Sequence, residues 1–564
     1  MSSPHELQPN WSNAVAAPDS YRSVFKYAPD KFKHPSPGWV EVFKSEFAMT
    51  DADFQQRRLT GDEAVQVERK CALTSEQIEA FAQIVGRDNV ATDDYSRAKY
   101  GTGKAMDEDM DLRAHVVRGA VDLVLHPRNT QDVIHIVAYC NAARIAITPY
   151  GGGSGCVVGN QADRGGVAVV MRTHMNKIVR LDEENQVCHV QPGMMGPDYE
   201  GALNRAPELF GAKRAYTCGH FPQSFELASV GGWITALGSG QASTYYGDAC
   251  DIVQSQEYVT PAGIIKTSDI PASAAGPKVN DILKGNEGTF GILVDVGMKI
   301  FRHRPENTQR FAYMYPNWQA AVDASREIVQ GEFGKPAVFR ISDPEETELG
   351  LKLKGFDASW GNSLLQAFGQ QRMQRCLGVG TVEGEKGFAV NVKKNVSRIA
   401  RAHGALPLSG WATKQWEHGR YSDVHMREDM LDFGILIDTL ETGVTWDNLM
   451  NVHRGVREFV KQRPGTICMT HASHFYPQGT NLYFILIMKP KDHDEFKRFR
   501  ADVVSKIVEL GGSLSHHHGV GRLFAPWMER SLGREQMEVL RALKRHFDPN
   551  DIMNPGAIFG PMAG

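Results

Sequence analysis

Pro149-Tyr150-Gly151-Gly152-Gly153-Ser154-Gly155 is the stretch whose reading decides the fold. It follows directly on Ile145–Thr148, an apolar run that reads as a strand. Consecutive glycines let main-chain N–H groups turn inward and approach a diphosphate without Cβ obstruction. There is no GK[ST] of a P-loop here, and no GxGxxG opening a helix. Two stretches of similar composition follow. One is Ser229-Val230-Gly231-Gly232-Trp233 with Gly238-Ser239-Gly240 and Tyr246-Gly247-Asp248; the other is Glu287-Gly288-Thr289-Phe290-Gly291-Ile292-Leu293. Three such loops predict one extended ligand threaded between two lobes, and a dinucleotide has that shape.

Working outward, the composition sets bounds. The 564 residues are 42% hydrophobic and 23% charged, with a net charge of −4. That length suggests two to four packed units of about 100–200 residues each, and the apolar content excludes a disordered or fibrous chain. The slightly acidic total argues against a nucleic-acid partner. No apolar run approaches the roughly 20 residues of a membrane helix. The opening MSSPHELQPN shows no secretory signal, and Arg57-Arg58 reads as surface charge. The 55 glycines are the outlier; their share is about a tenth against the usual ~7%. Cys71, Cys140, Cys156, Cys188, Cys218, Cys250, Cys376 and Cys468 form no CxxC pair. They are expected to be reduced thiols of a cytoplasmic protein.

The expected class is α+β. Residues 1–112 read as a partly helical N-terminal extension outside the active centre, with Pro29, Pro35 and Pro37 breaking an aromatic-rich arm. A helix follows, announced by the capping-box pair Thr74 and Gln77 and stopped by Gly86. Residues 113–303 alternate strands and helices and then give antiparallel pieces. Residues 304–500 read as a second, α/β domain with longer helices, and 501–564 as a C-terminal segment completing the first.

His516-His517-His518 is the most unusual triplet in the chain. In extended backbone His516 and His518 share a side that His517 opposes, so one or two reach a substrate while the rest are structural. By composition Tyr483, in Asn481-Leu482-Tyr483-Phe484, is a core aromatic. Arg427 reads equally as an exposed helical arginine.

The PYGGGSG, SVGGW and EGTFGIL stretches, with Asp548-Pro549 and Asn554-Pro555-Gly556, resemble the flavin-binding fold of the vanillyl-alcohol oxidase/p-cresol methylhydroxylase (PCMH-type) superfamily. The likeness runs from about residue 115 to the C-terminus. Within that superfamily the chain is most similar to the alkylglycerone-phosphate synthase family. Gly219-His220, Ser224, Pro336-Ala337, Arg340 and above all Ser513–Gly521 carry this second resemblance. It implies a two-lobed FAD domain with an α/β cap, and FAD held noncovalently. The cofactor contacts it implies are Pro149, Tyr150, Gly151, Gly152, Gly153, Ser154, Gly155, Gln223, Ser224, Ser229, Gly232, Ala236, Ser239, Glu287, Gly288, Thr289, Gly291 and Ile292. Tyr483 takes the family's proton-shuttling position, Arg340 the place near the flavin's reactive face, and Arg427 that of a phosphate-binding arginine. His516, His517 and His518 are implied as catalytic bases. The implied reaction exchanges the acyl group of acyl-dihydroxyacetone phosphate for a fatty alcohol through flavin N5. A homodimer and peripheral membrane contact are also family expectations.

Two departures from the family pattern stand out. Ala236-Leu237-Gly238-Ser239 replaces a Thr-Arg-Ala-Ser stretch, and His471-Ala472-Ser473-His474 adds a histidine pair. They favour the alternative, an FAD-linked oxidase or dehydrogenase of a 2-hydroxy acid or alcohol. No metal is expected, His474 and His517 being the residues a metal would use.

Overall fold

The computed structural model describes residues 15–28, 30–31, 33, 35–55, 60–357 and 359–561. Residues 1–10, Pro29 and Arg57-Arg58 lie outside the described residues. The fold is α+β, built on three main sheets.

The first sheet has the order Val90–Ala91, Leu123–Leu125, Val167–Val170, Ile147–Tyr150, and its last three strands are parallel. Leu123–Leu125 feeds helix Thr130–Ala143, whose first turn is capped by the Asn129 side chain. Ile147–Tyr150 is the edge strand. The C-terminal segment covers that edge: Ile147 N donates to Ile552 O at 2.7 Å and Asn554 N to Ile147 O at 2.8 Å. The PYGGGSG loop therefore leaves the carboxyl end of a parallel strand, where open α/β sheets hold ligands. The capping box at Thr74 and Gln77 forms, and helix Ser75–Val85 packs Phe81 and Val85 into the core beneath this sheet.

A five-stranded antiparallel sheet forms the second lobe, in the order Ile178–Asp182, Val187–Val190, Ile292–Lys299, Val253–Thr260, Gly263–Lys266. SVGGW, read as a loop, is instead a short helix, Val230–Thr235, capped by Ser229. Gly231 fits there because a Cβ would lie 2.6 Å from the Pro192 side chain.

The cap is a seven-stranded antiparallel sheet. Its order is Leu406–Leu408, Gln309–Tyr315, Cys376–Val382, Val338–Ser342, Thr466–Tyr476, Gly479–Met488, Leu436–Thr445. Helices Trp318–Gln330, Lys386–Ala402, Leu449–Lys461 and His493–Glu509 bury apolar stripes against one face. Side chains alternate along a strand, so the other face is presented elsewhere. Leu482, Phe484 and Leu486 enter the core, while Tyr483 and Ile485 face a cavity toward the first two lobes.

The N-terminal arm is not peripheral. Arg22 reaches both oxygens of Asp432 at 3.0 and 2.7 Å, Lys26 meets Asp429 at 2.6 Å, and Arg113 meets Asp432 at 2.6 Å, all buried. These ion pairs pin residues 20–28 against helix Asp423–Met430 of the cap and the turn Leu431–Phe433 that follows it. As a result Tyr27, Lys33, Ser36 and Trp39 line the cavity, correcting the expectation of an extension outside the active centre. The pairs join residues 319 to 410 positions apart, so local sequence pattern could not show them.

Candidate active site

A cavity of about 890 Å³ runs between the lobes and the cap. That lies at the large end of the roughly 300–1,000 Å³ range of ligand sites. Its floor is the glycine loop. A Cβ on Gly152 would lie 2.1 Å from Leu227 O, so only glycine lets this loop pass against residues 227–229. The same floor carries the hydroxyls of Ser154, Ser224, Ser229 and Ser239. Backbone and hydroxyl groups of this kind fit the diphosphate of FAD, and the length of the floor suits a dinucleotide.

Every sequence-derived cofactor residue lines this cavity except Thr289. Thr289 is buried below the wall, its hydroxyl donating to Asn286 O at 2.7 Å. Glu287 has a second task. Its carboxylate accepts Val520 N at 2.6 Å and Gly521 N at 2.8 Å, tying the histidine loop to the first lobes. Burial pushes this acid up to about 7 even though those two bonds oppose the rise.

The cap supplies the opposite wall. In the sheet register Tyr483 lies directly across from His471 on one side and Glu441 on the other. The Tyr483 ring stacks on His471 at 4.9 Å and on His517 at 5.9 Å, with His518 edge-on at 5.5 Å. Burial pushes the Tyr483 hydroxyl up, so it holds its proton. Two strands from Tyr483, Arg340 Nη2 meets Glu346 Oε1 at 2.5 Å, and Glu346 also sits 3.2 Å from His471 Nδ1. Burial alone would raise the Glu346 acid, yet Arg340 and His471 hold it at about 2. Burial and then Arg340 push His471 below the usual imidazole range. Arg427, on helix Asp423–Met430, faces the cavity, and its hydrogen bonds among the described residues are long ones, to Asp438 Oδ1 and Ile437 O, both at 3.4 Å.

The histidine triplet does not alternate as an extended backbone would require, because residues 516–518 form a bend. His517 and His518 line the cavity; His516 turns behind the wall toward Tyr476. The loop turns sharply, Gly519 adopting φ +85° and Gly521 φ +52°, so neighbours share a side. Glu441 holds it in place. Its buried carboxylate accepts Ser515 Oγ at 2.6 Å and the backbone N–H groups of His516, His517 and His518 at 2.7, 3.2 and 3.0 Å. Burial lowers the His517 ring well below the imidazole range. His518 goes the other way: burial would lower it, but Cys156, its hydrogen-bond partner, raises it to about 9 with help from Glu441. Burial likewise opposes the fall of the Cys156 thiol, and His518 outweighs it.

Glu441, Glu346 and Tyr27 were absent from the sequence reading. Two acids, Asp438 and Glu441, inside the apolar strand Leu436–Thr445 were the available signal, since buried carboxylates are rare without partners. Glu441, His516 and His517 also bring three ligand-type atoms within 4.8 Å of one another. Four donors already occupy the Glu441 oxygens, so its role is to anchor the loop. His474 places Nδ1 on Ser243 Oγ at 2.7 Å.

Comparison with known proteins agrees with this geometry. The family model described as FAD binding domain matches residues 121–269, and that described as FAD linked oxidases, C-terminal domain, matches 304–558. An alkyldihydroxyacetonephosphate synthase of Dictyostelium discoideum is 30% identical, over 98% of this chain and 90% of its own. A solved alkyldihydroxyacetonephosphate synthase superposes with a TM-score of 0.78 at 24% identity, covering 98% of this chain and 99% of that one. Solved p-cresol methylhydroxylase shares the fold at a TM-score of 0.64 and 15% identity, over 87% of this chain and 98% of that one.

Proposed function

Because the chain belongs to the alkyldihydroxyacetonephosphate synthase family of FAD-dependent enzymes, we propose that it exchanges the acyl group of acyl-dihydroxyacetone phosphate for a fatty alcohol. One observation carries this reading. A single cavity wall joins two guanidinium groups, Arg340 and Arg427, to the Tyr483, His517 and His518 cluster, while Trp39, Leu353, Phe356, Leu377 and Trp411 line the remainder with apolar surface. Such a cavity takes a phosphate at one end and an acyl or alkyl chain at the other. Bound FAD supplies an electrophilic ring, with no net oxidation of the substrate. Arg427 grips the phosphate through its planar fork. Arg340 offsets negative charge that develops beside it. Neutral His517 takes the substrate proton at a bare ring nitrogen, and protonated Tyr483 donates toward the leaving carboxylate.

A second reading rests on the match of residues 304–558 to FAD linked oxidases: oxidation of a 2-hydroxy acid or alcohol. Anaerobic mixing of the yellow protein with each substrate class separates the two. Alkyl product from acyl-dihydroxyacetone phosphate without lasting flavin bleaching supports exchange. Bleaching by a hydroxy acid at a catalytic rate, with no alkyl product, overturns it.

We further propose that FAD is held noncovalently, in a cytoplasmic homodimer that touches membranes peripherally. No helix among the described residues is long and apolar enough to cross a membrane. Trp360, Leu364 and Phe368 lie one helical turn apart and are 82%, 47% and 62% exposed. Their helix packs on Phe356 of the cavity wall, which would put the cavity mouth at a lipid surface. Acid precipitation should leave the yellow colour in the supernatant, and sedimentation should give twice the chain mass. Trp360→Ser/Phe368→Ser should abolish flotation with phosphatidylcholine vesicles.

A further inference from the structure

Behind the cavity wall a chain of hydrogen bonds leads away from His517. Its Nδ1 lies 3.1 Å from Nδ1 of His516. Nε2 of His516 lies 2.8 Å from the Tyr476 hydroxyl, and that hydroxyl donates to Oδ2 of Asp248. Three separate elements contribute: the 513–521 loop, the end of strand Thr466–Tyr476, and the residue that precedes helix Ala249–Ile252. Asp248 and Tyr476 do not line the cavity, so a direct role on substrate does not explain them.

We propose that Asp248, Tyr476 and His516 are positioning residues that fix the tautomer of His517, leaving its Nε2 as the proton acceptor at the cavity. The inference rests on the reading in which His517 takes a substrate proton, and it deepens that reading by naming what prepares the ring. A carboxylate can only accept, so the single Tyr476 proton points to Asp248. Burial and then the Asp248 charge push the Tyr476 hydroxyl up, so that proton stays on the phenol. His516 must therefore donate from Nε2 to the phenol oxygen. An imidazole with one ring proton that donates from Nε2 leaves its Nδ1 bare, able only to accept. His517 then donates from Nδ1, and its own Nε2 is left with a free lone pair.

The surroundings agree with this assignment. Glu441 Oε2 lies 3.6 Å from Nδ1 of His517 and attracts the proton to the same atom. The other titratable groups around the ring are His471 and His474 from strand Thr466–Tyr476, Tyr483 from strand Gly479–Met488, and His516 and His518 from its own loop. Glu441 is the carboxylate that acts on the ring, and its oxygens are taken by the loop N–H groups. The direction of the hydrogen bonds is thus set from Asp248. When the reaction proceeds, the substrate C–H pair stays on carbon and the proton moves to Nε2, giving an imidazolium whose Nδ1–H remains on His516.

The test uses the flavin-loaded protein as Tyr476→Phe and Asp248→Asn variants. Diethyl pyrocarbonate labelling of His517, followed by peptide mass against pH, reads the bare nitrogen without any substrate. Steady-state turnover is measured beside it, with flavin content read from the visible spectrum. Tyr476→Phe should slow His517 labelling by up to about tenfold, the bias one hydrogen bond supplies. It should lower kcat by a similar factor, up to about tenfold, with KM and bound flavin unchanged. Asp248→Asn should lose less, because an amide oxygen still accepts from the phenol. A labelling difference in a protein that makes no alkyl product would uphold the tautomer assignment and defeat the alkyl-exchange reading. Parent-like labelling and kcat in both variants overturns the assignment, and so does loss of bound flavin, which marks a purely structural role.

Discussion

Replacing Glu441 by Gln isolates the device that holds the histidine loop. The carboxylate is 1% exposed and accepts four donors, three of them backbone N–H groups of the triplet. Gln keeps the shape and one acceptor oxygen. That oxygen can serve Ser515 Oγ and the His517 and His518 amides, which share Oε1. The amide nitrogen must then face the His516 N–H, which bonds Oε2 in the parent. One charge-assisted bond is lost and two donors are opposed, a cost of about 2–3 kcal/mol. For a unit the size of the cap, that lowers the melting midpoint by roughly 5–10 °C. The pH dependence has a definite sign. Burial would raise Glu441, but the three histidines hold it far below the usual carboxylate range. A depressed acid contributes stability that is fully present above its unfolded pKa, about 4.3, and is lost as pH falls through the folded value. Gln cannot titrate, so the gap between variant and parent should be full at neutral pH and shrink in strong acid. Differential scanning fluorimetry with intrinsic flavin emission, run from pH 7 downward, reads both effects. A midpoint within about 1 °C of the parent at pH 7 would refute the anchoring role.

Three further outcomes are expected. Tyr483→Phe should abolish turnover while the visible spectrum shows flavin still bound; loss of the flavin would make Tyr483 structural. Gly152→Ala, whose Cβ would meet Leu227 O at 2.1 Å, should yield colourless protein, whereas Gly155→Ala, with nothing within 4 Å, should fold normally. His518 is raised to about 9 by Cys156. A raised base contributes stability that is present below its unfolded pKa, about 6.5, and is lost as pH rises through the folded value. The Cys156 thiol falls in the same pair and gains stability as pH rises to its unfolded pKa, about 8.5. The two slopes offset each other below that, so chemical denaturation should show the loss only above about pH 8.5, a loss that Cys156→Ala removes.

The glycine stretches were readable because their job is local. A strand ending in consecutive glycines has few other uses, and the cavity floor follows from it. SVGGW shows the limit: the same composition is a helix here, because Ser229 caps it and Gly231 packs on Pro192. Thr289 carried the same cofactor expectation as its neighbours, yet its side chain turns into the fold. Spacing cannot tell which side of a turn faces a ligand. Tyr483 reads as core until the sheet is assembled, since burial on either face looks alike in a one-dimensional pattern.

The sequence by itself determined the α+β class, the flavin-type floor and the presence of an unusual histidine triplet, since each rests on residues near one another in the chain. The tertiary structure alone decided which histidines meet the cavity, that Glu441 and Glu287 clamp their loop, and that the N-terminal arm closes one side. Arg22 and Asp432 are 410 positions apart, as Asp248 and Tyr476 are 228 apart. Such contacts arise when buried charges must find partners across the fold, and no local periodicity encodes which partner they find.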